Sequence, residues 1–145
     1  MAADVVWVAP WGGTGGNPWH FIIPDDARLF EIIVTSGDVI DSIYFTYMDQ
    51  SGTHSSPKYG GSGGIPQWVS FSDEEVLIGI SGNFKEYENY TVITSFSVQT
   101  NICTYGPFGL GGGSNFSIQL ASGTFAGFYG KCGIYLDALG VILKP

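Results

Sequence analysis

Charge is what this 145-residue sequence has least of. Only 12% of its residues are Asp, Glu, Lys or Arg, about half the share of about 25% usual for soluble domains. Just five of them are cationic against 13 acids, a formal net charge of −8. Phosphate backbones and anionic lipid surfaces therefore repel this chain, and nucleic acid and membrane insertion drop out as partners. Cysteine is equally scarce. Cys103 and Cys132 are the only two, too few for a disulfide framework, which points to a reduced, cytoplasmic or nucleocytoplasmic protein. No apolar run approaches the roughly 18 residues of a membrane span. The N-terminal MAADVVWVAPWGG lacks the basic and apolar regions of a signal peptide. Helix is missing too, because Gly or Pro interrupts nearly every window long enough to hold one.

What is abundant is glycine, with 22 residues, and aromatics, with four Trp, eight Tyr and ten Phe. A hydrophobic content of 44% supplies a sizeable core. Strand signals replace the missing helices. Tyr90, Val92, Thr94, Phe96 and Val98 alternate with Thr91, Ile93, Ser95, Ser97 and Gln99, and Ile43, Phe45 and Tyr47 alternate with Tyr44, Thr46 and Met48. Period-two alternation between Gly-rich turns predicts an all-β, antiparallel domain spanning residues 1–145.

Two markers recur along it. One is a glycine loop: Trp11–Gly16 (WGGTGG), Tyr59–Gly64 (YGGSGG) and Tyr105–Gly113 (YGPFGLGGG). The other is a glycine followed four residues later by an acid: Gly37-Asp38-Val39-Ile40-Asp41, Gly82-Asn83-Phe84-Lys85-Glu86 and Gly133-Ile134-Tyr135-Leu136-Asp137. The acid loops lie 45 and 51 residues apart, so the chain reads as three units of about 48 residues. Gly133 has no glycine loop after it, and the unmatched glycine loop stands at the N-terminus. Joining the two ends restores the spacing seen in the other units. The third unit is thus expected to be split, with N- and C-terminal strands paired in one sheet of a pseudo-threefold body.

Glycines let backbone N–H groups approach a ligand closely, and an aspartate adds two acceptor oxygens. Converging N–H donors around one carboxylate suit vicinal sugar hydroxyls, which donate and accept at once. Hydrogen bonds to a carboxylate are charge-assisted and roughly twice as strong as neutral ones. A single Gly-x-x-x-Asp is more simply a tight turn capped by its Asp. Three copies, each paired with a glycine loop at matching spacing, favour a binding site.

The ordered set WGGTGG, SGDVID, YGGSGG, YGPFG and GIYLDALGVILKP, covering nearly the whole chain, resembles the jacalin-related lectins and, within them, the mannose-specific branch. That resemblance implies a β-prism of three four-stranded antiparallel sheets, metal-free and cofactor-free carbohydrate binding without catalysis, plant origin, and assembly as homodimers or homotetramers. It places a first site at Gly16, Gly133, Ile134, Tyr135 and Asp137. A second site, as in two-site members of the family, would use Gly37, Asp38, Val39, Asp41 and Gly61. The remaining copy has Glu86 in place of Asp and Leu110 in its facing loop, and is read as structural. The galactose-specific branch depends on a cleavage that frees a glycine amino terminus beside the site. No sign of such a cut precedes Trp11–Gly16, so mannose and glucose are expected. The rival reading is a protein-interaction module that keeps the prism without binding sugar.

Other motifs carry less. Gly60-Gly61-Ser62-Gly63-Gly64 matches the Gly-x-Ser-x-Gly elbow of serine hydrolases, but that motif must open a helix, which four glycines and Pro66 forbid. A glycosidase needs two opposed carboxylates, and no second acid accompanies Asp137. His20, His54, Cys103 and Cys132 form no ligand-spaced pair for zinc. Asp73-Glu74-Glu75 reads as a solvated turn, the tryptophans as core or sheet-face residues with Trp11 bracing its loop, and the sequons at Asn89 and Asn115 as chance matches.

Overall fold

The computed structural model describes residues 4–145, so the start of the domain at Met1 lies outside the described residues. Among these the chain forms strands and turns but no helix, and hence none long and apolar enough to cross a membrane. The first unit in chain order opens with β1 (Val6–Gly12) and β2 (Asn17–Ile22). Then come β3 (Arg28–Ser36), β4 (Ile40–Asp49), β5 (Gly52–Ser55), β6 (Tyr59–Gly60) and β7 (Ile65–Ser70). The next group is β8 (Leu77–Tyr87), β9 (Tyr90–Thr100), β10 (Thr104–Phe108) and β11 (Ser114–Gln119), and the chain closes with β12 (Thr124–Cys132) and β13 (Leu136–Lys144).

These strands make three antiparallel sheets, ordered β1-β13-β12-β2, β5-β4-β3-β7 and β10-β9-β8-β11. In the second sheet β5 and β6 both pair with β4 and act as one interrupted edge strand. The sheet is therefore four strands wide, like the others. β1 pairs with β13, with Val6 opposite Leu143 and Gly12 opposite Ala138, so the split unit does close between the two ends of the chain. The three inner faces share one core in which Phe45 stacks on Phe21 at 4.7 Å and on Phe128 at 4.9 Å, with Ile32, Ile43, Phe96 and Leu139 fully buried around them. Trp11 braces its loop by stacking on Phe116 of the third sheet at 4.9 Å.

Each central hairpin carries a bulge near its tip, and the three bulges are equivalent. β3 and β4 pair Thr35 with Ser42 and then Ser36 with Ile40, leaving Asp41 unpaired. β12 and β13 pair Lys131 with Ala138 and then Cys132 with Leu136, leaving Asp137 unpaired. β8 and β9 pair Asn83 with Ser95 and then Phe84 with Ile93, leaving Thr94 unpaired. A bulge re-aims a side chain, and this one fixes what stands at the end of each sheet.

Two expectations are corrected here. Strict alternation along β9 placed Val92 and Thr94 on the face of Phe96. The bulge at Thr94 resets the phase, so Ile93 joins Phe96 and Val98 in the core cluster. The acids of Asp73-Glu74-Glu75 are not all solvated. Glu75 is buried, accepting from Thr100 Oγ1 and Tyr105 Oη at 2.6 Å each and from the Ser72 N–H at 3.1 Å. Burial pushes its carboxyl up, but those hydrogen bonds together hold it below the usual glutamate value.

Candidate functional site

The glycine loops and the tips of the central hairpins all fall at one end of the prism. The loop after β1 docks on the bulged residue of β13: the Gly13 N–H donates to the Asp137 carbonyl at 2.8 Å. The loop after β6 repeats this, with the Gly61 N–H on the Asp41 carbonyl at 3.0 Å, and the loop after β10 repeats it again, with the Gly111 N–H on the Thr94 carbonyl at 3.0 Å. Gly13, Gly61 and Gly111 are thus structural equivalents, as are Asp137, Asp41 and Thr94.

In the first site the docked loop leaves Gly16 facing the carboxylate. Gly16 has φ +79°, and a β-carbon there would stand 2.7 Å from both Asp137 Oδ1 and the Cys132 carbonyl oxygen. Only glycine fits that cradle. Gly133 closes the hairpin by donating to the Tyr135 carbonyl at 3.0 Å. The N–H groups of Gly16, Ile134 and Tyr135 have no hydrogen-bond partner among the described residues. Asp137 is 4% exposed, and its Oδ1 is wholly buried without a partner. Burial raises its pKa above the ordinary aspartate value, partly offset by the nearby backbone N–H groups of Asp137 and Gly133. An unpartnered buried carboxylate oxygen is costly; Gly16 faces it, and Ile134 and Tyr135 precede it in the same hairpin.

The second site is a near copy. Gly37 donates to the Val39 carbonyl at 3.1 Å, and the N–H groups of Asp38 and Val39 are free among the described residues. Asp41 is 8% exposed, and its pKa is raised by burial first and by the Asp38 charge second. One expectation moves. Gly61 was expected in this site, but its N–H is spent on the Asp41 carbonyl. Gly64, with φ +81°, holds the place of Gly16: a β-carbon there would lie 2.7 Å from Asp41 Oδ1.

The third copy was misplaced by the sequence reading. Gly82–Glu86 lies within β8, paired along its length with β9, and forms no loop. The carboxylate position belongs to Thr94, whose hydroxyl donates to the Gly112 carbonyl at 2.9 Å. The hairpin beyond the bulge is also longer here, running out to a turn at Glu88 and Asn89, both with positive φ. This arm reaches the other two sites. Tyr135 Oη donates to Glu88 Oε2 at 2.8 Å, which pushes the Tyr135 hydroxyl up to about 12. Tyr87 Oη donates to Asp38 Oδ2 at 3.3 Å, and the Tyr87 ring meets Tyr135 edge-on at 5.5 Å. Tyr87 and Glu88 carry no motif or fixed spacing, so sequence reasoning had no signal for them.

The chain belongs to the jacalin-like lectin domain family, whose profile matches residues 8–142. It is 39% identical over 146 residues to the mannose/glucose-specific lectin of Parkia pendula, an alignment covering 95% of this chain and 32% of that protein. The chain therefore spans about a third of the length of that relative. The structure of Malaysian banana lectin superimposes with a TM-score of 0.89 at 37% identity, over 98% of this chain and 99% of that one. A mannose-binding jacalin-related lectin from Ananas comosus follows at 0.87 and 34%, over 97% and 98% of the two chains. The family is one of carbohydrate-binding, non-enzymatic proteins.

Proposed function

We propose that this chain binds terminal mannose and glucose residues through two metal-independent sites, Gly16/Gly133/Ile134/Tyr135/Asp137 and Gly37/Asp38/Val39/Asp41/Gly64, without catalysing a reaction. The observation that carries the reading is the buried, unpartnered Asp137 Oδ1 faced by Gly16, with unpartnered N–H groups on Gly16 and on Ile134 and Tyr135 of the same hairpin. That arrangement suits a neutral ligand able to donate and accept from adjacent atoms. The names of the Parkia pendula and Ananas comosus relatives support mannose as the sugar, and that of the Parkia lectin supports glucose beside it. Ser51, His54 and Asp49 meet at the other end of the prism, but His54 Nε2 lies 3.0 Å from both partners. A proton relay needs the two ring nitrogens for two partners, so this cluster supports no catalytic reading.

A shallow site of this kind binds a monosaccharide at about millimolar strength, near −4 kcal/mol. Several sites on one particle raise avidity by about 10²–10⁴-fold. Assembly into a homodimer or homotetramer fits the exposed aromatic face of the first sheet, where Trp7 meets Tyr129 edge-on at 4.7 Å and is 46% exposed. Both cysteines are free thiols, which supports a cytoplasmic or nucleocytoplasmic location.

Titration of the amide-labelled protein with methyl α-mannoside tests the reading directly. Saturable shifts are expected at Gly16, Ile134 and Tyr135 and at Asp38, Val39 and Gly64, with none from methyl α-galactoside. Silence at both clusters would sink it and bring the protein-interaction module forward. Repeating the titration between pH 7 and pH 4 gives a second result. Burial raises both aspartates above their ordinary 3.8, so affinity should fall on acidification at a pH above the usual aspartate range. The sign for stability is opposite. The folded state takes up these two protons more readily than the unfolded one, so their protonation does not promote unfolding. Loss of binding should therefore precede any loss of near-UV circular dichroism; coincident loss would count against the assignment.

A further inference from the structure

The third unit keeps the glycine loop and reverses the charge of the site. In the first two units the residue after Cys132 or Ser36 is Gly133 or Gly37, and the bulged residue is Asp137 or Asp41. At the equivalent positions after Phe84 and opposite Gly111 stand Lys85 and Thr94. We propose that this third loop set is a site for a sugar bearing an acidic group, such as a sulfate ester, and that Lys85 is its specificity-determining residue.

The polar groups present define the class of ligand. Thr94 is buried and its hydroxyl is committed to the Gly112 carbonyl, so the bulge position offers the loop no ionised acceptor. The donors remain. The N–H groups of Gly112 and Gly113 have no hydrogen-bond partner among the described residues. The Lys85 side chain lies along the loop, with Nζ 3.1 Å from where a β-carbon on Gly112 would stand, and it joins no ion pair among the described residues. Alternation along β8 directs Glu86 to the opposite face. The Asp38 carboxylate, whose backbone carbonyl receives the Leu110 N–H, is bonded to Tyr87. A cation beside two backbone N–H groups is an oxyanion site. A neutral mannoside, which needs an acceptor as well as donors, is poorly matched to it. Leu110, 78% exposed at the lip of the loop, offers an apolar contact for a sugar ring attached to that oxyanion.

N-acetylglucosamine 6-sulfate and its neutral parent are the probes, titrated at low ionic strength into the amide-labelled full chain, with inorganic sulfate as a third arm. The sulfated sugar should produce saturable shifts at Gly111, Gly112, Gly113 and Lys85, and the neutral sugar none there. Lys85→Gln should weaken that binding at least tenfold, while methyl α-mannoside still shifts Gly16 and Tyr135 as in the wild type. The mannoside response reports fold and the two neutral sites, so a failure of the third site is read separately from a failure of the mannose reading. The proposal is overturned if the sulfated sugar leaves the third loop unshifted, if Lys85→Gln binds it unchanged, or if inorganic sulfate binds as tightly as the sugar.

Discussion

Asp137→Asn is expected to abolish methyl α-mannoside binding at the first site and to leave the protein at least as thermally stable as before. The two effects share one cause. Asp137 Oδ1 is buried with no partner in the free protein, and leaving a buried polar group unsatisfied costs about 1–3 kcal/mol. Burial also raises the carboxyl's pKa, so the ionised form that would bind sugar is the form the fold tolerates less well. Asn keeps the shape and removes the charge. Losing one partner of a desolvated, charge-assisted pair costs about 2–5 kcal/mol of binding. A monosaccharide held by about 4 kcal/mol has nothing measurable left after that. Amide shifts of Gly16, Ile134 and Tyr135 report the loss, and a thermal melt reports the stability. Wild-type shifts would remove Asp137 from the site. A melt lowered by many degrees would make Asp137 a structural support whose loss reaches the sugar only indirectly.

Gly64→Ala should silence the second site, leave the first responsive to mannoside, and destabilise the fold by about 1–3 kcal/mol. Gly64 has φ +81°, and the new methyl group would stand 2.7 Å from both Asp41 Oδ1 and the Ser36 amide nitrogen. The backbone cannot yield, because Ser36 is paired with Ile40 on one side and Ile65 on the other. The Asp41 carboxylate must therefore move away from the position where it meets a ligand. Persistent mannoside shifts at Asp38 and Val39 in this variant would restore Gly61 as the glycine that matters and overturn the equivalence of Gly64 with Gly16.

The architecture was legible because each prism unit repeats a backbone requirement that few residues satisfy. Glycines at positive φ and a bulge carrying an acid leave a spacing that the order of residues exposes. Asp41 and Asp137 were found that way. The third unit was not, for a physical reason: its bulge holds Thr94, which has no distinctive spacing, while Gly82 and Glu86 happen to repeat the pattern inside β8, where Gly82 packs under Phe116. A coincidental Gly-x-x-x-acid thus displaced the true equivalent by eight residues. The structure likewise moves the glycine that faces the carboxylate from Gly61 to Gly64, since the loop holds four glycines and only the docking bond to Asp41 tells them apart. Glu75 looked solvated because the residues that bury it, Thr100 and Tyr105, lie 25 and 30 positions away.

The split unit also sets the order in which the two acidic sites can come into being. Gly64 and Asp41 are 23 positions apart, whereas Gly16 and Asp137 are 121 apart. Closing the longer loop costs about 1.5 kcal/mol more chain entropy. During synthesis from the N-terminus, every residue of the second site has left the ribosome before β13 has been made. The first site must wait for the strand that carries Asp137 to slot between β1 and β12. A nascent chain halted after Gly127 would hold all the residues of one proposed site and only a fragment of the other, with β13, the neighbour of β1, not yet made. On the proposed two-site reading, binding competence is acquired in two stages, and the second stage coincides with closure of the prism.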